Sequence, residues 1–342
     1  MSLTNTIRID HAMQKSSEIS QWISSRLCEA TADAPAALRE ISRAHLAIEG
    51  KRLRGRMAFQ AASLFGADFD AAITWAAAVE LMHDASLVHD DLCDGDAERR
   101  GQQTVFKQHG EALAVCLGDY YISTAFRLAA MANPKTVVML CDAVTKSTGG
   151  QASEFNMSGY PSWSRYCEIA VQKTSPLLSL PITGAATLTG YAVDHQRVES
   201  YFANAATCFQ IINDLHNFLA SQSNNELCSD LANCRPNALI ACFRDSLNAP
   251  VQARFDQWSD RIRSAKVSCN SPESLQWWQF VRQSQSLAYT AQRLQFHFNT
   301  ASNELNRLPC EIQSVLSKFH QWLDSELTDT NAAVLIRKDL NS

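Results

Sequence analysis

Apolar residues recur at three- and four-residue spacing along almost the whole chain, in stretches too long for strands. The pattern predicts helices over residues 17–30, 35–48, 52–65, 70–94, 103–109, 112–131, 135–157, 162–190, 195–221, 236–247, 251–266, 273–304 and 309–325. Gly66, Gly95, Gly101, Gly110, Asn133-Pro134, Tyr160-Pro161 and Pro250 punctuate it where helices should stop or start. Residues 220–236 (ASQSNNELCSDLANCRP) are polar and hold the one obvious long loop. No linker divides the chain and no internal repeat is visible. The expectation is a single all-α domain over residues 1–342, with 1–16 as a mobile end and 326–342 as a tail.

Composition agrees with long helices. Only 12 Gly and 9 Pro occur among 342 residues, below their usual shares of roughly 7% and 5%. Hydrophobic residues at 46% suffice for a large core and exclude collagen-like and disordered classes. Charges nearly balance, with 30 Lys and Arg against 35 Asp and Glu for a net −5. No nucleic-acid partner is therefore expected, since no basic patch with interleaved aromatics is visible either. No apolar run reaches the roughly 18 residues of a transmembrane helix, and MSLTNTIRIDHAMQKSSE lacks the apolar core of a secretory signal. Eleven cysteines, without CxxC pairs, are expected to be reduced and mostly buried thiols in a cytoplasmic protein.

The chemistry concentrates in residues 80–101, ELMHDASLVHDDLCDGDAERRG. Asp90, Asp91, Asp94, Asp96 and Glu98 follow a strongly apolar stretch. Asp90 and Asp94 stand four apart on one helix face, with His83 seven before Asp90 on the same face; Asp91 lies about 100° round. Gly95 is expected to end the helix, which puts these acids at its negative end, where further negative charge is unfavourable. A divalent cation reverses that balance, and Mg2+ suits oxygen ligands that leave room for substrate phosphates. Arg99 and Arg100 follow at once, and Arg favours phosphate. Acids for metal beside bases for phosphate describe a diphosphate–Mg2+ site. A second basic run, Gly50-Lys51-Arg52-Leu53-Arg54, opens another helix, whose free N–H groups also favour phosphate.

These residues, with Gly118-Asp119, Lys173-Thr174, Phe209-Gln210 and Asp230-Leu231, fall in the order of the motifs of the trans-isoprenyl diphosphate synthases. The chain resembles this polyprenyl synthetase family over roughly residues 40–240. The resemblance implies a single bundle of helices around a deep apolar cavity, the isoprenoid-synthase fold, and a homodimer. It assigns Lys51, Arg54, His83 and Arg100 to the diphosphate of isopentenyl diphosphate. Asp90 and Asp94 would ligate Mg2+ on an allylic prenyl diphosphate, up to three ions in all, with Asp91 supporting them. Arg99, Lys173 and Gln210 would grip the allylic substrate, with Thr174 near the developing cation. Chain elongation then follows from ionisation of the allylic diphosphate, and no side-chain nucleophile is required.

The second half of the motif set departs from the family pattern. FQIINDLHN at 209–217 places Asn213 and Asn217 where the family has carboxylates and keeps Asp214. Asn213 and Asp214 are the expected metal ligands on this side, with weaker binding because Asn brings no charge. Arg235 keeps the positive charge of a family Lys, for substrate binding, while Cys234 and Asn237 are departures. Two other readings stay open. One is a terpene cyclase using Asn213, Asp214 and Asn217 in a cyclase-like motif, although Ser221 does not complete it. The other is a non-catalytic partner subunit of an active synthase. Against both stands the retained set Lys51, Arg54, His83 and Arg100. Ala85 and Ser86, five and four residues before Asp90, are small, and the family resemblance then implies products of C20 or longer. His89 is open between a supporting place beside the acids and a packed one, and Trp258, Trp277 and Trp278 are expected in packing.

Overall fold

The computed structural model describes residues 16–48, 50, 52–99, 101–223, 227–264 and 271–340. Of the expected mobile end at 1–16, residues 1–15 lie outside the described residues, as do Lys51 and Arg100, while Ser16 opens a helix. Helices dominate in chain order: α1 (Ser16–Ala30), α2 (Ala36–Ala47), α3 (Leu53–Phe65) and α4 (Phe69–Asp94) precede a hairpin of β1 (Glu98–Arg99) and β2 (Gln102–Gln103). There follow α5 (Val105–His109), α6 (Glu111–Ala132), α7 (Pro134–Phe155), α8 (Trp163–Thr189), α9 (His195–Ser223), α10 (Ser229–Ala232) and α11 (Ala238–Ser246). The last are α12 (Ala249–Arg263), α13 (Pro272–Gln283), α14 (Ser286–Leu305) and α15 (Cys310–Leu340).

The chain forms two compact units. One holds residues 1–144, 177–195 and 309–316, the other 145–176, 196–308 and 317–342, so neither is one contiguous stretch of sequence.

In the first unit, α4 packs against α6, α3 and α1. Its N-terminus is capped by Asp68, which accepts from the Ala71 N–H at 2.8 Å. Residues 72–82 are buried all round the helix, which explains why their sequence reads as a nearly continuous apolar run. Gly95 stops α4 in a left-handed conformation (φ +69°), and the Asp96 N–H closes the end on the Asp91 carbonyl at 3.0 Å. Gly118 of α6 serves a different need: a Cβ there would lie 2.1 Å from Nε2 of His89 on α4. Gly118 thus lets α6 approach the helix that carries the acids, and His89, half-buried between them, lies 3.7 Å from Asp119.

In the second unit, Phe243, Phe255, Trp258 and Trp277 form an aromatic cluster, and Trp278 packs on Phe218. Side-chain caps set several boundaries: Asn237 for α11, Asn248 for α12 and Ser271 for α13. Asn237, a departure from the family pattern, is therefore a helix start.

Four expectations are corrected. The helix expected over 273–304 is two, because the Ser284 hydroxyl takes the Ser286 N–H at 3.2 Å and turns the chain. Residues 326–340 continue α15 instead of forming a tail. The polar stretch 220–236 contains the last residues of α9 and the short α10. Of the ten described cysteines, Cys208, Cys228, Cys234 and Cys242 are buried, Cys167 is half-buried and five are exposed, so the thiols are not mostly buried. No described helix is long and apolar enough to cross a membrane.

Candidate active site

In the first unit, functional side chains gather at the start of α3, along one side of α4 and on the β-hairpin. Arg54 enters from the first turn of α3, and its Nη1 donates to Nε2 of His83 on α4 at 2.9 Å. A guanidinium has no acceptor, so this bond fixes Nε2 as the lone-pair nitrogen and leaves the His83 proton on Nδ1. Sequence reasoning brought these two residues to one substrate group, and the structure brings them together.

Asp90, Asp91 and Asp94 occupy the last turns of α4 in unequal surroundings. Asp90 and Asp94 are half-buried, whereas Asp91 is 5% exposed. Oδ1 of Asp91 accepts from Nε of Arg99 at 2.6 Å and forms an ion pair with its Nη2, also at 2.6 Å. Burial pushes the Asp91 carboxyl up, against the pull of the Arg99 bond and charge. Burial also opposes the Arg99 charge, but Asp91, with Asp90 and Asp96 nearby, outweighs it. The pair ties the hairpin to the end of α4. Arg99, expected on the allylic substrate, is thus held by the central acid of the motif. A cavity of about 230 Å3 opens beside these groups, lined in part by His45, His83, Asp91, Arg99, Gln102 and His109.

Among the described residues, no three His, Cys, Asp or Glu side chains converge as a ready-made metal cage. The donor set at the end of α4 instead fits Mg2+ that arrives with a substrate: two half-buried carboxylates one turn apart, leaving positions for phosphate and water.

The second unit holds the other group. Gly150 of α7 has no room for a side chain, since a Cβ would meet the Lys173 backbone N at 2.4 Å. That contact brings α7 close to α8 where Lys173 projects, and Lys173 Nζ donates to Glu154 at 2.9 Å. Thr174, next along α8, is half-buried. On α9, Gln210 Nε2 donates to Asp214 Oδ1 at 3.1 Å. Asp214 Oδ2 accepts from the Tyr166 hydroxyl at 2.6 Å and from the Ala238 N–H at 2.8 Å. Asp214, expected as a metal ligand, is therefore buried with both oxygens engaged by protein donors. Burial and the neighbouring Asp230 push its carboxyl well up.

Asn213 is exposed, while Asn217 donates to Ser229 Oγ at 3.1 Å and accepts from the Cys228 thiol at 3.6 Å. Asn217 thus fastens residues 228–229 to α9. Arg235 is half-buried, and its carbonyl accepts from the Tyr160 hydroxyl.

Sequence reasoning missed Arg52, Glu80, Asp84, Glu154 and Tyr166. Glu80 and Asp84 carried a signal: acids inside an apolar run, which must find partners once buried. Nothing marked Tyr166.

The polyprenyl synthetase family profile matches residues 35–265. An octaprenyl diphosphate synthase of Haemophilus influenzae is 30% identical over 193 residues, 55% of this chain and 59% of that protein. A chloroplastic geranylgeranyl pyrophosphate synthase of Arabidopsis thaliana is 31% identical over 199 residues, 53% of this chain and 55% of that protein. The match thus spans a little over half the length of these curated relatives. A decaprenyl diphosphate synthase from Rhodobacter capsulatus shares the fold with a TM-score of 0.76 at 20% identity, over 94% of this chain and 99% of that one. So does a polyprenyl synthase from Caulobacter crescentus complexed with calcium and isoprenyl diphosphate: its TM-score is 0.75 at 23% identity, over 93% of this chain and 97% of that one. The fold is the all-α isoprenoid-synthase fold, and the chain belongs to the polyprenyl synthetase family.

Proposed function

We propose that the protein is a prenyltransferase that condenses isopentenyl diphosphate with an allylic prenyl diphosphate, yielding products of C20 or longer. The observation that carries this reading is the half-buried Asp90–Asp94 pair on the last turns of α4, beside an arginine hairpin held to the same helix end. Asp90 and Asp94 would hold Mg2+, which would supply positive charge to the departing diphosphate, and Asn213 in the second unit remains a candidate neutral ligand.

The remaining roles belong to the chain's own residues. Lys173, kept in place by Glu154, and Arg99 neutralise the allylic diphosphate, and Arg235 adds charge. Gln210, oriented by Asp214, grips the allylic substrate, and Thr174 lies near the developing cation. Arg54 and His83, with Lys51 and Arg100, bind the diphosphate of isopentenyl diphosphate. Its double bond attacks the allylic cation, and the proton lost passes to the released diphosphate, leaving a chain one isoprene unit longer. Water must be kept out during the cation's life, or the product is an alcohol. We assign the protein to the cytosol, which suits its exposed free thiols, and to a homodimer, on the family resemblance.

Replacing a charge that acts only as the leaving group develops should cost rate more than stability. Asp90→Asn and Asp94→Asn are each expected to lower elongation about 10²- to 10³-fold with little change in Tm. Wild-type turnover in both variants would refute the metal-holding role.

A further inference from the structure

Arg52, immediately before α3, adopts a backbone that side-chain-bearing residues seldom take, with φ +43° and ψ +37°. Its side chain is 6% exposed. Nη1 donates to Asp84 Oδ2 at 2.9 Å, Nη2 donates to the Leu46 carbonyl at 3.0 Å, and Glu80 Oε1 lies 4.0 Å from Nη1. Glu80 Oε2 in turn accepts from the Gly55 N–H at 2.7 Å, one of the donors left open in the first turn of α3. A Cβ at Gly55 would meet that same Oε2, and the Ala76 carbonyl, at 3.2 Å. One buried cluster therefore fixes the segment on both sides of Arg54: Arg52 to α2 and α4, and Gly55 to α4. Arg54 between them meets His83, on the same helix as Glu80 and Asp84. Buried charges of this kind contribute little net stability, and a left-handed Arg adds strain. What the cluster does secure is one path for the backbone.

We propose that Arg52 is a positioning residue: clamped by Asp84, Glu80 and the Leu46 carbonyl, it sets the geometry in which Arg54 and His83 bind the diphosphate of isopentenyl diphosphate. This rests on the prenyltransfer reading. Arg52 lines the same cavity as His83, but its guanidinium is engaged by Asp84 and the Leu46 carbonyl. Lys cannot replace it, because one ammonium does not reproduce the fork that spans Asp84 and the Leu46 carbonyl.

The test uses Arg52→Lys, Asp84→Asn and the double variant in the full chain. Calorimetric titration with isopentenyl diphosphate is run beside steady-state kinetics for both substrates. Each single variant is expected to weaken isopentenyl diphosphate about 10-fold, in Kd and in KM, as for loss of one charge-assisted bond. The KM for the allylic substrate and kcat should move less than about twofold. The double variant should be no worse than the poorer single one, since the two residues act as a unit. Wild-type Kd in the variants, with wild-type elongation intact, would overturn this proposal alone. Equal losses for both substrates alongside a lower Tm would do the same, showing a merely structural part. A wild-type protein that neither binds nor elongates isopentenyl diphosphate would overturn the prenyltransfer reading and this proposal together. If Arg52→Lys does not fold, Asp84→Asn decides alone, since it leaves the arginine and its Leu46 bond in place.

Discussion

Within DDLCD, Asp91 is buried on Arg99 while Asp90 and Asp94 remain half-buried. Spacing separated Asp91 from the other two by about 100° of helix but did not say which side faces inward; the structure buries Asp91. Asp214 was not legible in the same way: its partners Tyr166 and Ala238 come from distant sequence, and no local pattern announces them. Glu80 offers a check by titration. Burial, then Asp84, pushes its carboxyl up in the folded state, against Arg52 and the Gly55 bond. The native state thus holds that proton more tightly than the unfolded chain. The stability it confers is complete below the ordinary carboxylate range and is lost as pH rises through the raised value. Glu80→Gln should lack that decline in denaturant titrations across pH; a decline of wild-type size would assign it to another group. Ser86 is half-buried, one turn before Asp90, and its hydroxyl donates to the His83 carbonyl at 2.8 Å. If it floors the product cavity, Ser86→Phe should shift products to shorter chains by mass spectrometry, and an unchanged length would place the floor elsewhere.

At the scale of elements, helices with a continuous apolar stripe were legible to within a few residues: α4 was expected over 70–94 and spans Phe69–Asp94. The failures have physical causes. Ser284 and Ser286 close a turn with hydroxyls that leave the apolar spacing of 273–304 intact, so periodicity could not reveal the break. The two-residue strands around Gly101 are too short to show alternation. Gly118 was visible as a family echo, but its reason, the His89 ring, needed coordinates. Gly118→Ala should push the part-exposed His89 ring aside and cost no more than about 1 kcal/mol in denaturant unfolding. Activity should fall further than stability, since His89 directly precedes Asp90. Wild-type stability and activity would show that the His89 ring can turn away without disturbing Asp90.

For the whole molecule, a net charge of −5 offers diphosphate substrates no long-range attraction. On the proposed reading, capture would fall to local cations and metal, which act over roughly 8 Å in physiological salt. The fold persists in structures only 20–23% identical because stripe, cap and close approach tolerate many residues. The chemistry does not, and Asn213 and Asn217 are therefore the feature on which the function turns. Product analysis of the purified full chain decides it, with Mg2+ and farnesyl diphosphate, in the presence and absence of isopentenyl diphosphate. Prenyl transfer requires an elongated prenyl diphosphate that forms only when isopentenyl diphosphate is supplied. A hydrocarbon or alcohol formed without it, or no product from folded protein given geranylgeranyl diphosphate as well, would contradict it.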